Sequence, residues 1–171
     1  MLASTKRLGY SVWIMLRASK LGISAAIALA LSVVIAHADE GWRFLERDDL
    51  ASASTFWAPR AEAGDIDAMS GLAHIAALRG DHASAARWLH RAAAAGHTPS
   101  TVLLASAYLE GRGVPRDPRL AYAWYHLASI EGQVHAARAR DFAGRWLTAE
   151  QSAEARALAG RWQTDGAPDA P

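Results

Sequence analysis

The sequence contains no cysteine, so it has no disulfide to stabilise it and no thiol to act as a catalytic nucleophile. Lysine is absent after Lys20, and after residue 38 the chain carries 14 arginines against 17 acidic residues, a net charge of −3. Nucleic-acid binding needs a basic surface that neutralises phosphates, so this balance argues against nucleic acid as the main partner. The 133 residues after residue 38 can form one domain with a core, whose stability must come from helix packing.

The first 38 residues also lack any acidic residue, and their four basic residues precede an uncharged run at Leu21–Ala36. This run ends in the small-x-small triplet Ala36-His37-Ala38, a pattern typical of a secretory signal peptide. The pattern predicts cleavage before Asp39 and a periplasmic or secreted protein. The alternative is an inner-membrane anchor through residues 21–36, although sixteen helical residues span roughly 24 Å, less than a hydrocarbon core of about 30 Å. Met15 is an alternative start to Met1.

Three alanine-rich runs repeat along the remaining chain, and their closing glycines lie 32 and then 36 residues apart. The runs are Leu50–Gly64, His82–Gly96 and Pro118–Gly132. Phe56, Trp88 and Trp124 each stand eight residues before a closing glycine. Because alanine favours helix and glycine favours the left-handed residue that ends one, each run predicts a helix. Trp88 and Trp124 are predicted to pack between helices.

A second helical segment follows each of the first two runs, at Asp65–Gly80 and Thr98–Gly113. Leu72 and Leu104 each follow a closing glycine by eight residues, which marks them as equivalent core positions. The four-residue difference between the two repeats falls after the second segment, where a loop tolerates insertions. Each repeat is therefore predicted to be a pair of helices.

The longer of these joints holds a cluster of glycine and proline residues before the third run. Gly111 and Gly113 permit turn conformations, Asp117 can cap the next helix, and Pro118 fits the first helical position. A phosphate-binding loop would need a Gly-Lys-Ser/Thr ending or a preceding strand, and neither pattern is present. The cluster is therefore predicted to be a joint between helices.

The second repeat resembles the Sel1-like repeat, a relative of the tetratricopeptide repeat. The resemblance rests on the span from Leu104 to Gly132, with Gly-x-Gly-Val at residues 111–114 and the Trp124-Tyr125 pair. Ala105 replaces a usual glycine, and the preceding repeat lacks the Gly-x-Gly-Val joint. The resemblance extends over roughly residues 48–162, and the stretch 135–162 is similar to the closing helices of small bacterial members.

The resemblance implies an all-α fold, an α/α superhelical solenoid of antiparallel helix hairpins over residues 48–163. A signal peptide at 1–38 and a flexible segment at 39–47 are expected before it, and a disordered tail at 164–171 after it. The family implies a non-catalytic scaffold or adaptor that mediates protein–protein interaction in the bacterial cell envelope, without a cofactor. The expected partner is a protein or peptide segment of an envelope component.

The C-terminal region predicts one more helix. Thr148 and Gln151 have the spacing of a capping box, in which each residue satisfies a backbone amide of the other. The helix is expected to cover the open end of the last repeat, as the terminus of a solenoid requires. Its packing stripe is predicted to contain Ala153, Ala157, Leu158 and Trp162.

The chain shows no catalytic or metal-binding pattern. The histidines after residue 38 form no His-x-x-x-His pair, no HExxH occurs, and no serine lies in G-x-S-x-G. His90 and His126 share a repeat position, which the repetition itself explains. Asp48 and Asp49 stand where a helix is expected to begin, which favours capping over acid–base chemistry. A carboxylate pair brought together from distant repeats, and hence a divergent enzyme, remains an alternative.

The family resemblance also implies where a partner binds, because the first helix of each hairpin lines the concave face of a tetratricopeptide-like stack. Counting from Leu72 and Leu104 as core positions gives six residues on a candidate protein-binding face: Asp67, Ser70, His74, Val102, Ser106 and Arg138. Asp141 is a further candidate. Cell-wall glycan or exopolysaccharide is the alternative ligand. Tyr122 and Tyr125 are the candidate residues for stacking on sugar rings.

Overall fold

The structure, a computed structural model, describes residues 40–167. These residues contain eight α-helices, one 3-10 turn and no strand, which confirms the all-α prediction for this part of the chain. None of the helices between residues 40 and 167 has the length and hydropathy that crossing a membrane requires. The predicted signal peptide at 1–38 and residues 168–171 of the predicted tail lie outside the described residues.

The helices begin and end close to the predicted joints. In chain order they are α1 Glu40–Glu46, α2 Leu50–Glu62, α3 Ile66–Leu78, α4 His82–Ala94, α5 Thr98–Glu110, α6 Pro118–Ile130, α7 Val134–Ala143 and α8 Ala149–Asp165, with the 3-10 turn Gly144–Trp146 between the last two. Helices α2, α4 and α6 each contain 13 residues. Each is followed by a glycine in the left-handed region, with φ of +95° at Gly64, +87° at Gly96 and +94° at Gly132. The repeat boundaries are thus confirmed.

The described residues divide into two units, with the boundary between Ala53 and Ser54. In the first unit the Asp49 carboxylate accepts a hydrogen bond of 3.0 Å from the Ser52 amide, so it caps the start of α2 as predicted. Hydrogen bonding to Ser52 lowers the pKa of Asp49. Residues 39–47, predicted to be flexible, contain the short helix α1, and their flexibility stays a prediction.

In the second unit, α3 packs against α4 and α5 packs against α6, each pair forming a helical hairpin. The two hairpins stack through a contact between α4 and α5. Helix α6 then packs against both α7 and α8. Because two helices cannot bury their apolar faces alone, each hairpin depends on its neighbours, as in other solenoids.

Trp124 is the largest side chain at the centre of the C-terminal core, with 1% of its surface exposed. Its ring centroid lies 4.4 Å from that of Trp162 on α8 and 5.5 Å from that of His90 on α4. Three elements therefore meet at one indole, which confirms the predicted role of Trp124 in packing between helices. The contact with Trp162 also shows that α8 covers the last repeat.

Trp88 and Phe56 occupy the same helical position as Trp124 but are only half-buried, so the packing of Trp88 between helices stays a prediction. The Arg91 guanidinium lies 4.6 Å from the Trp88 ring centroid, whereas a neighbour of the Trp124 ring is the indole of Trp162. In the first run the buried aromatic is the next residue, Trp57. It lies against Gly71 so closely that a Cβ there would come within 2.5 Å of the ring.

Helix α8 begins with the predicted capping box, in which the Thr148 hydroxyl accepts from the Gln151 amide and the Gln151 side chain accepts from the Thr148 amide. Its predicted packing stripe is half right. Leu158 and Trp162 pack against the core, but Ala153 and Ala157 are exposed. The buried alanines are Ala155 and Ala159, which continue the same stripe at spacings of three and four residues.

Candidate binding surface

The glycine-rich joint between α5 and α6 is a structural connection, as predicted. Gly111 and Gly113 have φ of +73° and +75°, and Gly111 ends α5. The Asp117 carboxylate accepts hydrogen bonds from the amides of Arg119 at 2.8 Å and Leu120 at 3.2 Å, which caps α6. Gly111 thus ends one helix and the Asp117 carboxylate begins the next.

The residues predicted to bind a partner lie on the first helices of the successive hairpins and all remain accessible. Asp67 and His74 on α3 and Arg138 on α7 are exposed. Ser70 on α3 and the α5 residues Val102 and Ser106 are half-buried, as is usual for side chains at the edge of a helix contact. Binding by these six residues stays a prediction.

The repeat numbering extends this set to residues that the sequence analysis missed. Counted from each preceding glycine, equivalent positions fall at plus six, plus ten and plus fourteen. They are Ser70, Val102 and Arg138, then His74, Ser106 and Phe142, then Leu78, Glu110 and Trp146. We call these nine residues the first-helix surface. Phe142 and Trp146 were missed because α7 has Arg140 in place of the leucine from which the count was made, although the glycine spacing marks both.

Phe142 and Trp146 form an aromatic pair at the end of α7. Their exposed fractions are 47% and 46%, and their ring centroids lie 4.9 Å apart at an interplanar angle of 81°. The Arg145 guanidinium lies 5.4 Å from the Phe142 centroid, and that of Arg116 lies 5.5 Å from the Trp146 centroid. We call these four residues the aromatic–arginine patch.

Arg116 links this patch to the end of α5. Its Nε donates a hydrogen bond of 2.9 Å to the carbonyl oxygen of Leu109 in the last turn of that helix. Trp146 therefore lies near the C-terminal end of α5, where Glu110 holds the equivalent repeat position. Side chains from α5 and the α7 end contribute to one local surface.

A hydrogen-bonded network covers the α5 side of this surface. The Ser106 hydroxyl donates to Glu110 Oε1 at 2.8 Å, and Arg112 Nε lies 2.8 Å from Glu110 Oε2. Burial raises the pKa of Tyr125, while a hydrogen bond with Ser106 acts in the opposite direction. The Glu110 carboxylate is thus satisfied by a hydroxyl and a guanidinium.

The two tyrosines proposed for glycan stacking are both buried, with 6% of each side chain exposed, so their assignment is wrong. Tyr122 packs beside Gly144, and its hydroxyl accepts a hydrogen bond of 3.0 Å from Arg156 on α8. Because α7 and α8 both pack on α6, the side chains in the middle of α6 are buried between helices. The sequence of α6 alone does not show that two other helices cover it.

His126 lies beside Tyr122 in the space between α6, α7 and α8. The two rings are stacked with centroids 6.4 Å apart, and Arg140 Nη1 lies 3.4 Å from His126 Nδ1. Burial lowers the pKa of His126, and the nearby guanidinium groups of Arg140 and Arg156 lower it further. The protonated form of this imidazole is therefore disfavoured in the folded protein.

A further concave feature is an open cleft of about 420 Å³ between the start of α6 and α8. It is lined by charged and apolar side chains that include Asp117, Leu120, Glu154, Leu158 and Arg161. Among residues 40–167, no group of three histidine, aspartate or glutamate side chains is close enough to hold a metal ion.

The Sel1 repeat family matches the chain twice, at residues 67–97 and 99–133. Residues 67–133 therefore contain two tandem Sel1 repeats. The two matches cover α3 to α6 and end just before α7. Repeats of this kind generally mediate protein–protein interactions, which supports a helical-repeat interaction scaffold.

A similar solved structure is that of a protective antigen present in uropathogenic Escherichia coli strains, which displays an SLR fold. It is 25% identical to this chain, with a TM-score of 0.67. The match covers 84% of this chain but 35% of the antigen, so this chain spans about a third of that protein's length. No curated protein sequence matches this chain significantly.

Proposed function

We propose that this Sel1-like repeat protein is a non-catalytic adaptor, exported to the bacterial cell envelope, that holds a segment of another envelope protein. The observation that carries the proposal is the pair of tandem Sel1 repeats, whose first helices present accessible side chains at equivalent positions. A row of equivalent positions on stacked helices suits an extended segment, because such a segment can contact successive repeats with successive side chains.

The composition of the first-helix surface supports a protein ligand. It combines the hydroxyl of Ser106, the guanidinium of Arg138 and the aromatic ring of Phe142, all of which are accessible. Protein interfaces are rich in aromatic and arginine side chains, with polar groups around them. The acidic net charge of the chain after residue 38 favours a protein partner over nucleic acid.

The experiment for this proposal is chemical crosslinking in the native cell, followed by affinity recovery of the protein and mass spectrometry. One variant combines Ser106→Arg with Arg138→Glu, which adds bulk and reverses charge on the first-helix surface. The matched control is Arg87→Glu, which changes an exposed arginine on α4. The proposal expects an envelope protein with the wild type and the control but not with the double variant. Recovery unaffected by the double variant contradicts it.

Glycan binding is a second candidate, and the exposed Phe142–Trp146 pair is the observation that favours it. Aromatic rings at a surface offer apolar faces on which sugar rings can stack. A pull-down with insoluble peptidoglycan tests this candidate. Retention of the wild type with loss of retention in Trp146→Ala would support it, whereas equal behaviour of the two proteins would exclude this pair as the glycan site.

A further inference from the structure

We propose that the aromatic–arginine patch docks an acidic peptide segment that carries an apolar side chain. The inference rests on the proposed function and names the chemistry of the partner at one end of the first-helix surface. The apolar side chain would lie against Phe142 and Trp146, while carboxylates of the segment would pair with Arg116 and Arg145.

The apolar half of this proposal follows from the exposure of two adjacent rings. Single exposed apolar residues are common on protein surfaces, but Phe142 and Trp146 touch each other and each leaves nearly half of its surface in water. Covering such rings with an apolar side chain gains about 25 cal/mol for every Å² removed from water. Aromatic side chains of this kind often contribute most of the binding free energy of an interface.

The acidic half follows from the two arginines. Five other arginines between residues 40 and 167 have a carboxylate within ion-pair distance: Arg60, Arg91, Arg112, Arg119 and Arg140. Arg116 and Arg145 have none in that part of the chain, and the one hydrogen bond of Arg116 joins its Nε to Leu109. A guanidinium group binds a carboxylate through two parallel hydrogen bonds, so both arginines are suited to an acidic ligand.

The nearby carboxylates do not oppose such a ligand, because each already has a cationic partner. Glu110 is paired with Arg112, and Asp141 lies 2.7 Å from Arg140 Nη2. The patch thus keeps two cations without protein counter-ions beside two exposed rings. Charge complementarity favours an acidic segment over a neutral sugar, for which the guanidinium charges would contribute little.

The test is a selection of random dodecapeptides displayed on phage against the full protein as the cell produces it. A parallel selection uses the double variant Arg116→Gln/Arg145→Gln, and a matched control uses Arg87→Gln on α4. The wild type and the control should enrich peptides with aspartate or glutamate next to an aromatic or aliphatic residue. The double variant should fail to enrich them. Enrichment of neutral or basic peptides, or the same peptides from the double variant, overturns the inference.

A peptide enriched by the wild type is then labelled with fluorescein, and its affinity is measured by anisotropy. Trp146→Ala and the double variant should each weaken binding by about tenfold, a change of about 1.4 kcal/mol. Binding should also weaken as salt is raised. Equal affinity for Arg87→Gln and the double variant contradicts the inference. Because the changed side chains are exposed, each variant should have the melting temperature of the wild type, which would show that it is folded.

Failure of this inference is distinguishable from failure of the proposed function. One outcome is that crosslinking to an envelope protein is lost in Ser106→Arg/Arg138→Glu but unchanged in Trp146→Ala. In that case the proposed function stands and the aromatic–arginine patch is not the docking site. If Trp146-dependent retention on peptidoglycan appears and no acidic peptide is enriched, the occupant is glycan and the inference is overturned.

Discussion

Trp124 joins three elements of the C-terminal core through one side chain. Its indole contacts Trp162 from α8 and the ring of His90 from α4, and 1% of it is exposed. Because the stability of a repeat protein is the sum of contacts between neighbouring units, a residue shared by several units contributes more than one that packs within a hairpin.

Replacement of Trp124 by alanine is therefore expected to lower the free energy of unfolding by about 3–5 kcal/mol. A whole domain has about 5–15 kcal/mol, so the melting temperature should fall sharply. Circular dichroism during thermal and urea unfolding measures both quantities. His126→Ala, a change at the half-buried position two residues later, should have little effect at neutral pH. Equal losses for the two variants would show that the assigned helix faces are wrong.

His126 also predicts a dependence of stability on pH. Burial and two guanidinium groups lower its pKa in the folded protein below the ordinary value of 6.5. At low pH the unfolded chain therefore binds a proton that the folded protein resists. Above about pH 6.5 the histidine is neutral in both states and no stability is lost; the loss begins as the pH falls below that value and is complete below the folded-state pKa.

The measurement is urea unfolding at pH values from 7.5 to 5 for the wild type, His126→Ala and His135→Ala. The wild type should lose more stability on acidification than His126→Ala does. His135→Ala changes an exposed histidine on α7 and should follow the wild type. Parallel curves for the wild type and His126→Ala would contradict the assignment.

At the scale of elements, the joint between α5 and α6 does more than reverse the chain. Gly113 lies against the start of α4, where a Cβ would collide with the carbonyl group of His82. The left-handed φ of +75° adds a second reason for glycine at this position. The joint of the second hairpin is thus packed onto the first hairpin.

A pair of glycine variants separates these two reasons. Gly132 has φ of +94° with open space around it, so Gly132→Ala should cost only the conformational strain of about 1–2 kcal/mol. Gly113→Ala should cost more, because the backbone of His82 must also move. Urea unfolding of both variants measures the difference. A smaller loss for Gly113→Ala than for Gly132→Ala would show that the packed joint is not needed.

The helix boundaries could be predicted from sequence because their signals are local. A glycine such as Gly96 marks a left-handed helix end, and Asp117 and Thr148 mark helix starts through hydrogen bonds within three residues. Burial could not be predicted equally well, since it depends on which element covers a side chain. For this reason the sequence did not predict that Arg91 lies over the Trp88 ring or that Tyr122 is buried beside Arg156 of α8. Local spacing does not show which element contacts either side chain.

The candidate binding surface was predicted in part. Residues on α3 and α5 could be placed by counting from Leu72 and Leu104, whose equivalence follows from the repeat. On α7 the count reached Arg138 but missed Phe142, because Arg140 interrupts the leucine pattern. The exposure of the aromatic pair depends on the tertiary path of α7 and its 3-10 turn, which no short motif specifies.

At the scale of the whole molecule, the export proposal predicts where the mature chain begins. The basic start, the apolar run and Ala36-His37-Ala38 predict an N-terminus at Asp39 in periplasmic or secreted fractions. Cell fractionation followed by N-terminal sequencing of the recovered protein measures this. An intact chain in the inner membrane would show that residues 21–36 act as an anchor and are not cleaved. The repeats would then lie at the membrane surface.

We expect one surface of the first helices to hold a protein partner. Site-specific photocrosslinking in the native cell tests it most directly, with a photoreactive residue at position His74, Ser106 or Phe142. The comparison positions are Arg87 on α4 and Arg119 on α6, both exposed on second helices. The same protein should be crosslinked from the three first-helix positions and not from the two second-helix positions. Crosslinking from the second helices with equal yield, or no protein adduct from the first helices, would contradict it.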